Sequence, residues 1–291
     1  MSYYVTTPIY YVNAEPHLGH AYSTIGADVL ARHMRQRGEH VFFVTGTDEH
    51  GEPVALAAEA QNTTPQELAD KNSQRFRELT ATTDVTNDFF IRTSDERHKA
   101  EVQRIMQQVY ENGYVYEGVY EGWYCPRCAD FKGEHEIGDG NTCPIHKIPL
   151  DREHEDSWFF KLSAFQEPLE KLFEERPDWV LPRAKFNEAL SFIKSGLRDV
   201  ALSRAKISWG VPLPWAPDQV MYVWFDALLN YWTALTFGRD GEDLHDEFWP
   251  PTVQVMAKDI IKFHAVYWPA LLMAAGVELP QRLFVHGYLL M

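Results

Sequence analysis

The chain has 291 residues, 45% of them hydrophobic and 24% charged, with 9 Trp and 14 Tyr, which excludes disorder and suffices for a large core in one or two domains. Its net charge of −15 excludes nucleic-acid binding through the overall field, so any RNA contact must use a local basic patch. The apolar runs are too short to span a bilayer and Tyr3 to Tyr11 lacks the basic region and cleavage site of a signal peptide, so the expectation is a cytoplasmic enzyme without a membrane partner.

Tyr3-Tyr4-Val5-Thr6-Thr7 is β-rich and opens the chain as a strand, and Pro8 to Pro16 reads as a loop. A helix is predicted from about Leu18 to Arg37, with apolar Ile25, Val29, Leu30 and Met34 at helical spacing and Gly38 as its stop. Val41 to Thr45 is a nearly continuous apolar run, as in a buried parallel strand. Thr64-Pro65-Gln66-Glu67 is a capping box with Pro at the first helical position. Asp88 to Ile91 reads as a strand, and Asp95 to Asn112 as a helix capped by Ser94 and stopped by Gly113. The order β-α-β-α-α-β-α predicts a parallel sheet covered on both faces.

Residues 114 to 160 are richer in Tyr, Gly, Cys and His and read as short strands; 163 to 198 read as helical and Leu202 to Trp209 as a strand. Gly210-Val211-Pro212-Leu213-Pro214 marks a boundary. The α/β pattern then resumes with Val220 to Trp224, a helix from Asp226, a strand Val253 to Met256, a helix Asp259 to Ala275, and a strand Leu283 to His286 whose far side is expected to be an exposed edge. The expected plan is one nucleotide-binding fold, halves 1–113 and 213–291, interrupted by an insertion at 114–212.

The three cysteines, Cys125, Cys128 and Cys143, lie in one stretch, and an odd, clustered count is a poor disulfide framework. Cys125-Pro126-Arg127-Cys128 is followed, after fourteen residues, by Cys143-Pro144-Ile145-His146. Two hooks with two-residue spacers can close a tetrahedral site of three thiolates and one imidazole, which is expected to be a structural zinc knuckle within about 122–160. A redox Cys-x-x-Cys is disfavoured, because such motifs sit at a βα turn without a second hook. His135 and His154 lie nearby and read as surface or structural histidines.

Neither Gly-x-x-x-x-Gly-Lys-Ser/Thr nor Gly-x-Gly-x-x-Gly after a strand is present. In their place His17-Leu18-Gly19-His20 runs into a helix whose start supplies free N–H groups and positive partial charge. Two imidazoles there add donors for phosphate oxygens, and Gly19 lets a nucleotide lie close to the backbone. Alone, four such residues are as well read as incidental loop histidines or metal ligands; their place after the first strand of an α/β sheet favours a phosphate site.

His-x-Gly-His in this position resembles the signature of class I aminoacyl-tRNA synthetases and related nucleotidyltransferases. Thr7-Pro8-Ile9-Tyr10-Tyr11-Val12-Asn13, Gly46-Thr47-Asp48-Glu49-His50-Gly51 and Val223-Trp224-Phe225-Asp226-Ala227 resemble methionyl-tRNA synthetases in particular, over essentially the whole chain, insertion included. The resemblance implies a Rossmann-like parallel sheet with a connective insertion, and a two-step reaction: the methionine carboxylate attacks the α-phosphate of ATP, and the methionyl group then passes to tRNA(Met). The first step spreads negative charge over phosphate oxygens, which positioned donors and magnesium stabilise without a protein nucleophile.

By the same resemblance, His17 and His20 are catalytic, and Tyr11, Asn13, Gly19, Asp259, His286 and Gly287 line the ATP side, with Asp259 on the ribose. For Asp259 a plain N-cap role stands beside this reading. Ile9 and Asp48 hold the backbone end of methionine, with Asp48 on the ammonium. Trp224, Ala227, Leu228, Tyr231, Ile260 and His264 line its side-chain pocket, where aromatic faces suit a thioether and Tyr231 and His264 each offer the sulfur a donor. Ordinary core packing is the alternative for Trp224, Tyr231 and Ile260, and Leu228 departs from the Pro of some members. Arg204 is a further candidate near the reacting groups.

The second ATP motif of the class, Lys-Met-Ser-Lys-Ser, and the helical anticodon-binding domain are not found in the 291 residues. The expectation is therefore a catalytic fragment with weak or no aminoacylation alone. Other class I enzymes are disfavoured: those for leucine, isoleucine and valine carry a larger editing insertion, and those for cysteine bind zinc in the active site. Small nucleotidyltransferases with the same histidines lack the knuckle. A non-catalytic remnant or binding module is the remaining alternative, against which the intact His17, His20 and Asp48 count.

Overall fold

A computed structural model of the chain describes residues 1–128, 130–132 and 137–289. The first stretch alternates β1 (Ser2–Tyr11), α1 (Leu18–Gln36), β2 (His40–Asp48), α2 (Glu52–Ala60), α3 (Pro65–Thr82), β3 (Phe89–Arg92) and α4 (Glu96–Glu111), the order expected. The middle holds β4 (Val115–Cys125), β5 (Asp130–Lys132), β6 (Asp151–Phe160), α5 (Gln166–Glu175), β7 (Val180–Leu181), α6 (Arg183–Lys194), β8 (Val200–Ala201), β9 (Ser203–Arg204), β10 (Pro212–Leu213) and β11 (Ala216–Met221). The last stretch holds α7 (Val223–Leu228), α8 (Asn230–Phe237), α9 (His245–Phe248), β12 (Val253–Ala257), α10 (Trp268–Ala275) and β13 (Leu283–His286). No helix among the described residues is long and apolar enough to cross a membrane.

Six strands form one sheet in the order β3-β2-β1-β12-β13-β7, with every pairing parallel. Chain order runs outward from β1 to β3 in one direction and from β12 to β13 in the other, with β7 added at that edge. The crevice between the carboxyl ends of β1 and β12 is therefore the topological switch point, where ligands of open α/β sheets bind. Strand alternation sends Val5, Val41, Phe43, Val253 and Val255 to one face, against Ala27 and Ala31 of α1. Tyr4, Phe42 and Val44 go to the other face, against Ala234 and Leu235 of α8 and Phe248 of α9. Each fully buried large side chain among these contributes about 1.5–3 kcal/mol relative to exposure.

Four boundaries differ from expectation for identifiable reasons. β1 continues through Pro8 to Tyr11, because its register against β2 shifts between Thr6 and Ile9; a proline without an N–H is tolerated at such an irregularity. The cap of α4 is Asp95, which accepts from the N–H of Arg97, while Ser94 donates to Glu49 instead. The strand expected at Leu202–Trp209 ends at Arg204. β11 stops at Met221 and belongs to a small antiparallel sheet, β10-β11-β9, so Trp224 falls on helix α7 and not on a strand.

The face of α1 differs in part: Leu30 and Met34 pack against the sheet as expected. Ile25 and Val29 are 43% and 60% exposed, and the buried positions are Ser23, Thr24, Ala27, Asp28 and Ala31. Small side chains let the helix lie close on the sheet, and buried Asp28 is satisfied by the N–H and hydroxyl of Thr86 and by Arg32. β13 is not the edge of the sheet, since Leu283 and Phe284 pair with Val180 and Leu181 of β7, from within the stretch read as an insertion.

Candidate active site

β1 leads through a short turn to His17, which caps α1. The Nδ1 of His17 accepts the N–H of Gly19 at 3.1 Å, and the Nδ1 of His20 accepts the N–H of His17 at 3.1 Å. This is a capping box built from two imidazoles in place of a hydroxyl and a carboxylate. With Nδ1 an acceptor, each ring carries its hydrogen on Nε2, the donor left for the cleft. The rings stack with centroids 3.7 Å apart at 20°. A Cβ on Gly19 would lie 2.9 Å from His17 Cε1, so the glycine makes room for this stacked ring. Burial, and then the adjacent His17, push the pKa of His20 down to about 3, so the ring is neutral at physiological pH.

A cleft of about 780 Å³ runs from this pair across the switch point, a volume suited to a small-molecule ligand. Its lining brings together every residue expected to bind nucleotide or amino acid: Ile9, Tyr11, Asn13, Gly19, Asp48, Trp224, Ala227, Leu228, Tyr231, Asp259, Ile260, His264, His286 and Gly287. Arg204 is not among them. It is 3% exposed on β9, bonded through Nε to Glu155 Oε1 at 2.6 Å and lying over the Tyr124 ring at 4.2 Å.

On the apolar side, one turn of α7 presents Trp224, Ala227 and Leu228 at the i, i+3, i+4 spacing of a single helix face. After β12 a 3₁₀ turn, Lys258–Ile260, leads to a π turn, Phe263–Tyr267, which continues into α10. Asp259 lies inside the 3₁₀ turn, exposed, and is not an N-cap. Such π turns are frequent at functional sites, and this one carries Phe263 and His264 into the cleft. Phe263 stacks on Trp224 at 3.6 Å and 10°. Sequence reasoning missed Phe263, for which the only available signal was its spacing of three from Ile260.

His264 Nδ1 lies 3.0 Å from the Ile260 carbonyl and Nε2 lies 2.7 Å from the Tyr231 hydroxyl. Burial holds the His264 pKa down to about 4, so the neutral ring donates from Nδ1 and accepts the Tyr231 O–H at Nε2. Both donors are therefore engaged, contrary to the expectation that each offers the sulfur a hydrogen. On the α1 side of the cleft, His286 at the end of β13 bonds Ser23 of α1 through Nε2 at 2.8 Å.

Asp48 ends β2, is 2% exposed, and its Oδ1 has no hydrogen-bond partner. Burial first, then the neighbouring carboxylates of Asp226 and Glu49, push its pKa well above the ordinary value, opposed by the N–H of His50. A cation delivered through the cleft would satisfy it.

On the insertion's side of the same cleft, whose lining includes Cys128 and His146, the ligand atoms of Cys125, Cys128, Cys143 and His146 all lie within 4.8 Å of one another. Cys128 Sγ is 3.6 Å from Cys143 Sγ, and His146 Nδ1 is 3.8, 3.2 and 3.8 Å from the sulfurs of Cys125, Cys128 and Cys143. A tetrahedral ion about 2.3 Å from sulfur and 2.0–2.1 Å from nitrogen sets its ligand atoms roughly 3.5–3.8 Å apart, so the set fits one such ion. The backbone N–H groups of Cys128 and His146 each point at the first sulfur of their hook, at 3.4 Å. His154 lies on β6 outside the cluster, and His135 falls outside the described residues.

A parallel sheet whose switch point carries a histidine-capped helix on one side and an apolar, carboxylate-ended pocket on the other defines the catalytic domain of a class I aminoacyl-tRNA synthetase. The model of the family described as tRNA synthetases class I (M) matches residues 3–154 and 141–291. The chain belongs to that family. It is 47% identical over 291 residues to the chloroplastic/mitochondrial methionine–tRNA ligase of Arabidopsis thaliana, covering 99% of this chain and 47% of the relative. To the methionine–tRNA ligase of Thermotoga maritima it is 44% identical over 292 residues, covering 99% and 46%. The chain thus spans about half the length of these curated relatives. The structure of Mycobacterium tuberculosis methionyl-tRNA synthetase in complex with methionyl-adenylate superposes with a TM-score of 0.94 at 42% identity, covering 98% of this chain and 57% of that one. The free-state form of that enzyme gives 0.84 at 39% identity, covering 98% and 56%.

Proposed function

We propose that the cleft binds L-methionine and ATP side by side and joins them as methionyl-adenylate, and that the whole protein transfers the methionyl group to tRNA(Met). The observation that carries this reading is the placement of opposite chemistries around one crevice: the capped histidine pair at the start of α1 and the unpartnered, buried Asp48 Oδ1. The Trp224, Ala227 and Leu228 face completes the slot.

In this reading the methionine ammonium meets Asp48, with Ile9 beside the backbone end. The thioether lies among Trp224, Ala227, Leu228, Tyr231, Ile260 and His264. The carboxylate oxygen attacks the α-phosphorus, and the bond to the bridging oxygen of the β-phosphate breaks as pyrophosphate leaves with the electron pair. The Nε2–H groups of His17 and His20 donate to the phosphate oxygens on which charge accumulates. Tyr11, Asn13, Gly19, His286 and Gly287 line the nucleotide, with Asp259 on the ribose. Magnesium bound with ATP supplies further charge neutralisation when present.

We assign the four-residue cluster to one structural zinc, because three thiolates and an imidazole leave no open position. Residues 1–113 and 213–291 are read as the two halves of the catalytic domain, 114–212 as the connective insertion, which also lends β7 to the sheet of that domain, and the cytoplasm as the setting. Arg204, held by Glu155, is read as a support of the insertion beside the site. Equilibrium titration with L-methionine, leucine and isoleucine tests the substrate. Saturable methionine binding, about tenfold or more tighter than the other two, is expected from the pocket shape; equal binding of all three would overturn the choice of methionine.

A further inference from the structure

Asp48 is one of three buried carboxylates at this end of the sheet, and the other two are compensated. Glu49 is bonded by Arg92 through Nε at 2.7 Å and a terminal nitrogen at 2.8 Å, with the hydroxyl of Thr47 at 2.6 Å. Asp226 is 1% exposed and lies outside the cleft lining. Its Oδ2 is 2.5 Å from His50 Nδ1 and its Oδ1 is 2.7 Å from His98 Nε2. His98 is completely buried, and its Nδ1 is 2.7 Å from the Thr233 hydroxyl. The backbone N–H of His50, two residues on from Asp48, favours the charged form of the Asp48 carboxylate. His50 is thus gripped at its side chain by Asp226, and its backbone leads straight back to Asp48 at the end of β2. Among the described residues, the relay His98–Asp226–His50–Asp48 links α4, α7 and the end of β2, and only its last member reaches the cleft.

We propose that Asp226, clamped between His50 and His98, is a positioning residue for substrate selection: by fixing His50, two residues beyond Asp48, it holds the end of β2 so that the unpartnered Asp48 Oδ1 meets the ammonium group of an α-amino acid. This rests on the reading of the cleft as a methionine site. A carboxylate accepts from both imidazoles at once, whereas an amide in its place has one acceptor oxygen and would release one of them. His50 held only by packing no longer fixes the end of β2, and the ammonium contact is lost while the apolar pocket and the nucleotide side remain.

The test uses two hydrolysis-resistant acyl-adenylate analogues, one methionyl and one identical but lacking the α-amino group. Wild type should bind both, the methionyl form more tightly. In Asp226→Asn the methionyl analogue should weaken about tenfold, the worth of a charge-assisted hydrogen bond, with the des-amino analogue within about twofold of wild type. His98→Gln, which keeps a donor for Asp226, should bind both nearly as wild type, and His98→Leu should behave as Asp226→Asn. Equal weakening of both analogues in the folded variants, or no weakening of either, overturns the proposal. If Asp226→Asn does not fold by near-ultraviolet circular dichroism, the contrast between His98→Gln and His98→Leu decides by the same ratio. Wild type that binds neither analogue contradicts the methionine reading itself, a result distinct from a preserved preference in the variants.

Discussion

The imidazoles of His17 and His20 stack 3.7 Å apart, and each accepts a backbone N–H at Nδ1, so one pair of side chains both caps α1 and keeps two Nε2–H donors facing the cleft. The two roles separate experimentally. Asn is a good N-cap but offers no donor where the imidazole Nε2 stands. His17→Asn should therefore change the melting temperature little, while the rate of adenylate formation falls on the order of 10²–10³. Thermal melts paired with single-turnover measurements check this, and a parallel loss of both would show that the pair matters only as a cap.

Gly19→Ala should act on the same pair from the other side. The new Cβ, 2.9 Å from His17 Cε1, must push the ring off its stack. A helix-interior alanine gains about 0.5–1 kcal/mol over glycine, offsetting a cap loss of similar size. The expected result is near-unchanged stability with a nucleotide affinity lowered about tenfold or more, read by titration with ATP.

Asp48 trades stability for binding. Its folded pKa lies well above its unfolded value, so its contribution is most favourable below the unfolded pKa and is lost as pH rises toward the folded one. Asp48→Asn should raise the melting temperature at pH 7, by about 2–4 °C for each kcal/mol relieved, and less in acid. Methionine affinity should drop about 10- to 100-fold with the lost charge-assisted contact.

Two neutral histidines, half-buried His20 and buried His264, contribute to the acid limb of stability. His20 and His264 have pKa values lowered to about 3 and about 4, below the unfolded value of 6.5. The stability linked to this is complete above 6.5 and is lost as pH falls from there through the folded values. His264→Gln should flatten the loss between pH 6.5 and 4 by on the order of 3 kcal/mol, measured as the pH dependence of denaturant midpoints.

The Cys125, Cys128, Cys143 and His146 cluster should hold one zinc per chain by elemental analysis. Its packing partners, including Trp123, Ile148 and Leu150, form a cluster separate from those of the parallel sheet. Structural zinc contributes about 10–16 kcal/mol to the fold it closes. Chelation should therefore open residues 125–150 to protease while the sheet stays protected.

How much of this was legible in the sequence follows from where the signal is local. The two hooks of the knuckle, the capping box at Thr64 and Glu67 and the strand Leu283–His286 depend on neighbours in the chain, and they form as read. The place of His17 and His20 after a strand, at the mouth of a cleft, is legible, but their mutual cap is not, because imidazoles are not expected as capping groups. The face of α1 is half legible: Leu30 and Met34 pack against the sheet as expected, while close helix–sheet packing favours Ala27 and Ala31 over Ile25 and Val29, which only the sheet reveals. Asp226 reads in the sequence only as a motif member and a helix start, because its partners His50 and His98 are 176 and 128 residues away. The π turn that brings Phe263 onto Trp224 leaves no mark in helical periodicity.

The central claim, that one cleft holds methionine and nucleotide together, is tested most directly by competition. A fluorescent methionyl-adenylate analogue bound to the chain should be displaced by methionine alone and by ATP alone, with one analogue bound per chain. Displacement by only one of them, or by neither, would contradict a cleft that ends in Asp48 on one side and in the His17–His20 pair on the other.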